Sequence, residues 1–217
     1  MAQVFSRPFA LVLRLGLLAM VGLAVLAIVV YRVNARSDAP ANDPVEQPVP
    51  FSHKHHVGDD GIDCRYCHVS VEVSAFAGIP PLSTCLTCHS QLFTTAPPLQ
   101  PLMAAYEGAA DLRWNRVHAL PGFAYFDHSI HVAKGVGCVT CHGRVDEMPL
   151  TRRVASLYMQ WCLECHRAPE PFLRPREHVF DLDWQPSGDR IALGRELAKQ
   201  YGLRSTRELT DCSTCHR

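Results

Sequence analysis

The stretch FSHKHHVGDDGIDCRYCH, Phe51 to His68, decides how the rest of the 217-residue chain is read. It closes on Cys64-Arg65-Tyr66-Cys67-His68, a C-x-x-C-H element. Two thiols two residues apart can add to the two vinyl groups of one porphyrin, with the adjacent histidine against the iron. That makes the element the attachment signature of c-type haem. It recurs at Cys85/Cys88/His89, Cys138/Cys141/His142, Cys162/Cys165/His166 and Cys212/Cys215/His216, and the five copies use all ten cysteines. Zinc sites pair such elements into four-ligand sets, which five copies cannot fill without a remainder. A disulfide framework has no need of a histidine after every second cysteine, and thioredoxin-like chemistry uses one C-x-x-C in a βαβ setting. The sequence predicts five covalent haems, with His68, His89, His142, His166 and His216 as proximal iron ligands.

Five haems over residues 51–217 leave about 33 residues for each. So dense a chain cannot build a core of leucine and valine, and the porphyrin faces take that role. The fold expected is mainly α with extensive irregular loops, a haem-packed core and one N-terminal transmembrane helix. Sixteen prolines and thirteen glycines suit it. Lys+Arg and Asp+Glu balance at 21 each, so nothing points to nucleic acid.

Residues 1–8 precede an apolar run, Phe9 to Tyr31, of 23 residues, uncharged from Leu15 onward. It is long enough to span a bilayer, and Arg14 lies where its side chain can snorkel. A cleaved signal peptide has a shorter apolar region, and Ala39-Pro40-Ala41 is a poor cleavage site, so a retained anchor is expected. Haem attachment takes place outside the cytoplasmic membrane, which puts the N-terminus inside and the haem domain in the periplasm. Residues 32–50 are rich in proline and read as an extended linker.

The haem domain, 51–217, repeats itself. Phe126-Asp127-His128-Ser129-Ile130-His131-Val132 mirrors Phe51-Ser52-His53-Lys54-His55-His56-Val57, each F-x-H-x-x-H-V, with the next cysteine ten and eleven residues past the first histidine. This gives modules 51–90 and 126–167, with the fifth haem alone at 203–217. A short helix is expected near Leu102–Tyr106, and an extended strap from Ala168 to Gly188. A helix over Asp189–Tyr201 should end at Gly202, with a capping box at Ser205–Glu208.

Seven histidines lie outside the attachment elements. Two H-x-x-H pairs at helical spacing can reach two irons each, so His53, His56, His118, His128 and His131 are the distal ligands expected. His53 should serve the haem at Cys64/Cys67, and His128 the haem at Cys138/Cys141. His56, His131 and His118 should cross to other haems and tie the modules together. His55 has Ile130 as its counterpart, and His178 lies in the strap; both are left out. One His/Met site through Met103, Met148 or Met159 is the alternative, at a higher potential.

The F-x-H-x-x-H…C-x-x-C-H modules resemble the class III multihaem cytochromes. With WNRVHALPGFAYFDHSIHVAKGVGCVTCHG, MQWCLECHRAPEPFLRP and the terminal LTDCSTCHR, the chain is similar to the pentahaem cytochrome subunit of alternative complex III, a quinol-oxidising respiratory complex. The resemblance covers residues 51–217 and the anchor. It implies a periplasmic haem wire on a membrane complex, not an enzyme by itself. Its neighbours would be integral membrane subunits that oxidise quinol, an iron–sulfur subunit and a monohaem cytochrome c. Two other readings stay open: an independent membrane-anchored quinol dehydrogenase feeding a periplasmic reductase, and a multihaem reductase, which would need an open iron.

Overall fold

The computed structural model describes residues 7–38 and 43–216. The first six residues and the Ala39-Pro40-Ala41 triplet lie outside them. Two units are present, Met1–Ala39 and Pro40–Arg217. The first is one helix, α1 (Arg7–Asp38), whose segment Pro8–Val33 is long and apolar enough to cross a membrane. At 1.5 Å per residue those 26 residues measure about 39 Å, against about 30 Å of bilayer hydrocarbon. The helix outruns the apolar stretch, so residues up to Asp38 that read as linker are helical.

The second unit is mainly helical, as the sequence predicts. Among its described residues there are no strands, only the isolated bridges Pro44–Arg152 and Val136–Leu173. Its helices are short: α2 (Cys64–Cys67), α3 (Leu82–His89), α4 (Gln100–Tyr106), α5 (His128–Ala133), α6 (Cys138–His142), α7 (Met159–Arg167), α8 (Arg190–Gln200), α9 (Thr206–Leu209) and α10 (Cys212–Cys215). Isolated helices of four to eleven residues do not hold themselves together in water, so caps and packing start and keep them. Asp63, Asp127, Asp189 and Asp211 each accept a hydrogen bond from a backbone N–H of the first turn they precede. Ser205 and Glu208 form the expected capping box.

The apolar packing is concentrated in one cluster. Leu173, Leu197 and Tyr201 are buried, with Val136, Leu193, Ala198 and Leu203 against them. Helix α8 approaches so closely that a Cβ on Gly194 would stand 2.0 Å from the Glu170 carbonyl oxygen. Gly202, at φ +59°, ends this segment in the left-handed region.

Two expectations change. Residues 168–188 are not extended: they contain 3₁₀ turns at Glu170–Phe172 and Arg176–His178. Pro171 and Pro175 have the fixed φ that suits the first positions of such turns. Nor is the end of the proline-rich segment a free linker. Val49 is buried, and Gln47 exchanges hydrogen bonds with the Asn115 backbone.

Module one has one more residue than module two between its first histidine and its first cysteine. The structure absorbs it in a π-helical turn, Lys54–Asp59, closed by Asp60 N–H donating to the His55 carbonyl. A π turn adds one residue without moving what flanks it.

Candidate haem centres

The repeat is a built unit in both modules. Phe51 meets His53 edge-on at 4.9 Å and 87°, and stacks on His56 at 4.5 Å and 22°. Phe126 meets His128 at 4.8 Å and 90°, and stacks on His131 at 4.4 Å and 27°. One phenyl ring therefore sets both imidazoles of each pair at the same relative angle. The phenylalanine belongs to the repeated motif, yet its orienting role became visible only in three dimensions.

The ring separations carry the chemistry. An iron between two imidazoles, with metal–nitrogen bonds of about 2 Å and ring centres ~1.1 Å behind each nitrogen, separates the rings by ~6.2 Å. His56 and His89 stand 6.1 Å apart, His131 and His166 6.2 Å, and His128 and His142 6.3 Å. In both modules the second histidine faces the second attachment site. In module two the first histidine faces the first. His53 is the symmetric counterpart of His128, and His68 is the imidazole that acts most strongly on its charge.

These pairings correct one expectation. His56 and His131 do not tie the modules together, because each closes on its own module. The tie comes from the first histidines. Nδ1–H of His128 donates to the Ala75 carbonyl in module one (2.9 Å), and His53 Nδ1 lies 2.8 Å from Thr151 Oγ1 in module two. Beside them, Lys54 N–H donates to the Met148 carbonyl and Ser129 N–H to the Ser74 carbonyl. Met148 and Ser74 are each ten residues past the first cysteine of their module. The exchange is reciprocal, the pattern of a two-fold interface within one chain.

Backbone carbonyls fix the tautomer of most of these histidines. Nδ1–H of His68 donates to the Gly78 carbonyl (2.7 Å), of His89 to Leu92 (3.2 Å), of His166 to Leu209 (2.9 Å) and of His216 to Phe123 (3.0 Å). His56 and His131 do the same to the Ser52 and Asp127 carbonyls, at 2.8 and 2.7 Å. A carbonyl only accepts, so Nδ1 holds the proton and Nε2 keeps its lone pair for a metal. Burial pushes His142 down to about 3 and His53 and His118 down to about 4, helped by neighbouring histidines and, at His118, by Arg153.

None of the ten cysteines is in a disulfide. Neighbouring sites meet through side chains. Tyr66 and Thr87 hydroxyls lie 2.8 Å apart between the first two sites, and Thr206 Oγ1 donates to the Arg167 carbonyl between the last two. Burial first, and then a thiol of another site, raises the pKa of several cysteines: Cys85 acts on Cys67, Cys64 on Cys138, Cys165 and Cys162 on Cys141, and Cys215 on Cys162. Among the described residues no three His, Cys, Asp or Glu side chains gather as a cage for a bare metal ion. Paired imidazoles beside paired thiols fit haem, whose own nitrogens supply the equatorial ligands. The apolar cluster at Leu173, Leu197 and Tyr201 is small, and flat apolar groups among the short helices would complete the packing.

His118 stands differently. Its ring lies 4.3 Å from that of His142 at 71°, too close for an iron between them, while its Nε2 is buried without a partner. The ring beside His216 is that of Phe123, at 5.9 Å. A buried nitrogen left unmatched calls for an acceptor or a metal. His118→Ala is expected to convert one haem to the high-spin form with all haems still attached, read by optical and electron paramagnetic resonance spectra; an unchanged low-spin count removes His118 from the ligands. Of the methionines, Met148 is buried at the module contact and Met159 is exposed. His55 pairs with Asp59 in solvent, and His178 with Asp181 beside Trp184.

Residues 124–217 match the family model described as cytochrome c7 and related cytochrome c. The chain is also 36% identical over 98 residues to the menaquinone reductase multihaem cytochrome c subunit of Nitratidesulfovibrio vulgaris, over 45% of this chain and 46% of that protein. It thus spans less than half the length of this relative. The stretch that the family model matches carries three of the five C-x-x-C-H elements.

Proposed function

We propose that this chain is the electron-transfer subunit of a membrane quinol-oxidising complex of the alternative complex III kind, with five covalent haems and α1 as its anchor. The observation that carries it is the set of three imidazole pairs at 6.1–6.3 Å, each of one attachment histidine and one histidine from a repeat. Iron held on both faces has no position for a substrate, which favours electron transfer over a multihaem reductase. Bound haem supplies reversible one-electron chemistry. The protein fixes the imidazoles, buries them and spaces the sites.

The side-chain contacts between neighbouring elements support one row of sites: Cys85/Cys88, Cys64/Cys67, Cys138/Cys141, Cys162/Cys165, Cys212/Cys215. The two first sites of the modules form the centre, each second site flanks its own, and the fifth extends one end. Cys88 and Cys212, at opposite ends of this row, are exposed while the other eight cysteines are partly covered. Donor and acceptor partners would meet the chain at those ends, on the periplasmic side. The membrane subunits, an iron–sulfur protein and a monohaem cytochrome c are the partners this reading implies.

The relative's name, a menaquinone reductase subunit, favours a second reading, with the same subunit role and electrons entering the quinone pool. Purification in mild detergent separates the two. Multi-span and iron–sulfur proteins co-purifying, with haems that quinol reduces, support the first. Haems that reduce a quinone but are not reduced by quinol support the second. A cytochrome that purifies alone and exchanges electrons with neither overturns both.

A further inference from the structure

The two central sites share ligand type and local fold but not charge. The residue before the first cysteine is Asp63 in module one and Gly137 in module two. Asp63 caps α2 and is paired with Arg65 at 2.7 Å, in partial contact with solvent. Gly137 caps α6, and the Arg174 guanidinium lies against it. A Cβ at Gly137 would stand 2.3 Å from Arg174 Nε and 2.4 Å from its Cζ, so a side chain here would displace the guanidinium.

Arg174 is 5% exposed. Nη1 donates to the Asp181 carbonyl at 2.8 Å and the His178 carbonyl at 3.3 Å, and its Nε is buried with no partner. Among the described residues no carboxylate lies within ion-pair distance of it. Its other neighbours are the Trp184 ring at 5.2 Å and a second guanidinium, Arg190, 5.8 Å from the same ring. Burial and the repulsion of Arg190 press its pKa down. The more distant Cys138 and Asp181 attract it, but no ion pair offsets the charge, so its field bears on the site at Cys138.

We propose that the buried charge of Arg174 makes the haem attached at Cys138 and Cys141 more oxidising than the one at Cys64 and Cys67. A fixed positive charge in a poorly polarisable site favours the reduced iron, which carries one charge less. Arg174 is therefore a positioning residue: beside Gly137 and Cys138 it would act on the iron of a bound haem through its field. The two-fold repeat would make the central haems alike, and Arg174 opposite Gly137 makes them differ.

The inference rests on the reading of Cys138/Cys141 as a haem site, and one experiment separates the two. Arg174→Gln and Arg174→Lys are compared with the parent for haem content per chain and by potentiometric titration. The expected result is full haem content in all three, with one titration step of Arg174→Gln moved to lower potential. The move should be at least a tenfold change in that haem's oxidised-to-reduced ratio, about 59 mV for one electron. Arg174→Lys should restore most of it. A full haem complement with all steps unmoved overturns the role of Arg174, and so does a lysine variant that behaves like glutamine. A chain lacking haem at Cys138/Cys141 overturns the underlying reading. Should Arg174→Gln fail to accumulate, site-resolved potentials of the parent from its paramagnetically shifted haem-methyl signals decide. The haem at Cys138/Cys141 must be the more oxidising of the central two, and the opposite order refutes the proposal.

Discussion

Replacing Cys138 and Cys141 together by alanine is expected to abolish folded protein, whereas the same change at Cys212 and Cys215 should leave a folded chain with one haem fewer. Burial pushes Cys138 and Cys141 up to about 12. Around them, Cys138 N–H donates to the Val179 carbonyl, Arg174 packs on Gly137, and Gly143, at φ +67°, is pressed by Val154. The site also adjoins Cys64 and so lies where the modules join. A porphyrin burying several hundred Å² of apolar surface there contributes on the order of 10 kcal/mol. That is as large as the whole ~5–15 kcal/mol net stability of an ordinary domain. The last site is peripheral: Cys212 is exposed, and α10 is held by the Asp211 cap, by Tyr125 N–H on the Cys215 carbonyl and by His216 on Phe123. Haem-stained gels with intact mass measure both variants. Equal recovery of the two would show that the centre of the row is not the centre of the fold.

Much of the site was legible because its parts are local. Ten cysteines in fixed five-residue elements, a repeated F-x-H-x-x-H, the Ser205 capping box and the Gly202 stop need only near neighbours in the chain, and each has a residue type with one dominant use. Pairing is not local. Which iron His56 or His131 reaches depends on where α3 and α7 lie, and nothing in a histidine's own neighbourhood encodes that. The extra residue of module one was visible as a spacing of eleven against ten, but its cost-free absorption in a π turn was not. Arg174 was hidden because an arginine among prolines reads as a solvated strap residue. What buries it is the missing side chain of Gly137, thirty-seven positions earlier. The proline-rich segment misled in the opposite sense: composition described its backbone, while Val49 and Gln47 decided that it docks.

His56→Ala and His131→Ala should each turn one haem high-spin and leave the rest unchanged, and the double variant should turn two. The argument is the shared geometry. Each imidazole is stacked on its phenylalanine, donates Nδ1–H to the carbonyl four residues back, and stands one iron's width from the second attachment histidine of its own module. Alanine removes the Nε2 ligand without disturbing the opposite imidazole, so the iron becomes five-coordinate and open to carbon monoxide. The two effects add because the affected sites lie in different modules and share no ligand. His55→Ala and His178→Ala are the controls: one ring is paired with Asp59 in solvent and the other with Asp181, and neither change should alter any haem spectrum. Carbon monoxide titration, monitored in the Soret band, counts the opened irons. One binding equivalent for each single variant and two for the double is the expected series. If instead His56→Ala opened an iron of module two, or the double variant opened only one, the pairing within each module would be wrong. The modules would then be joined through shared irons, and not only through the Ala75 and Thr151 contacts of their first histidines.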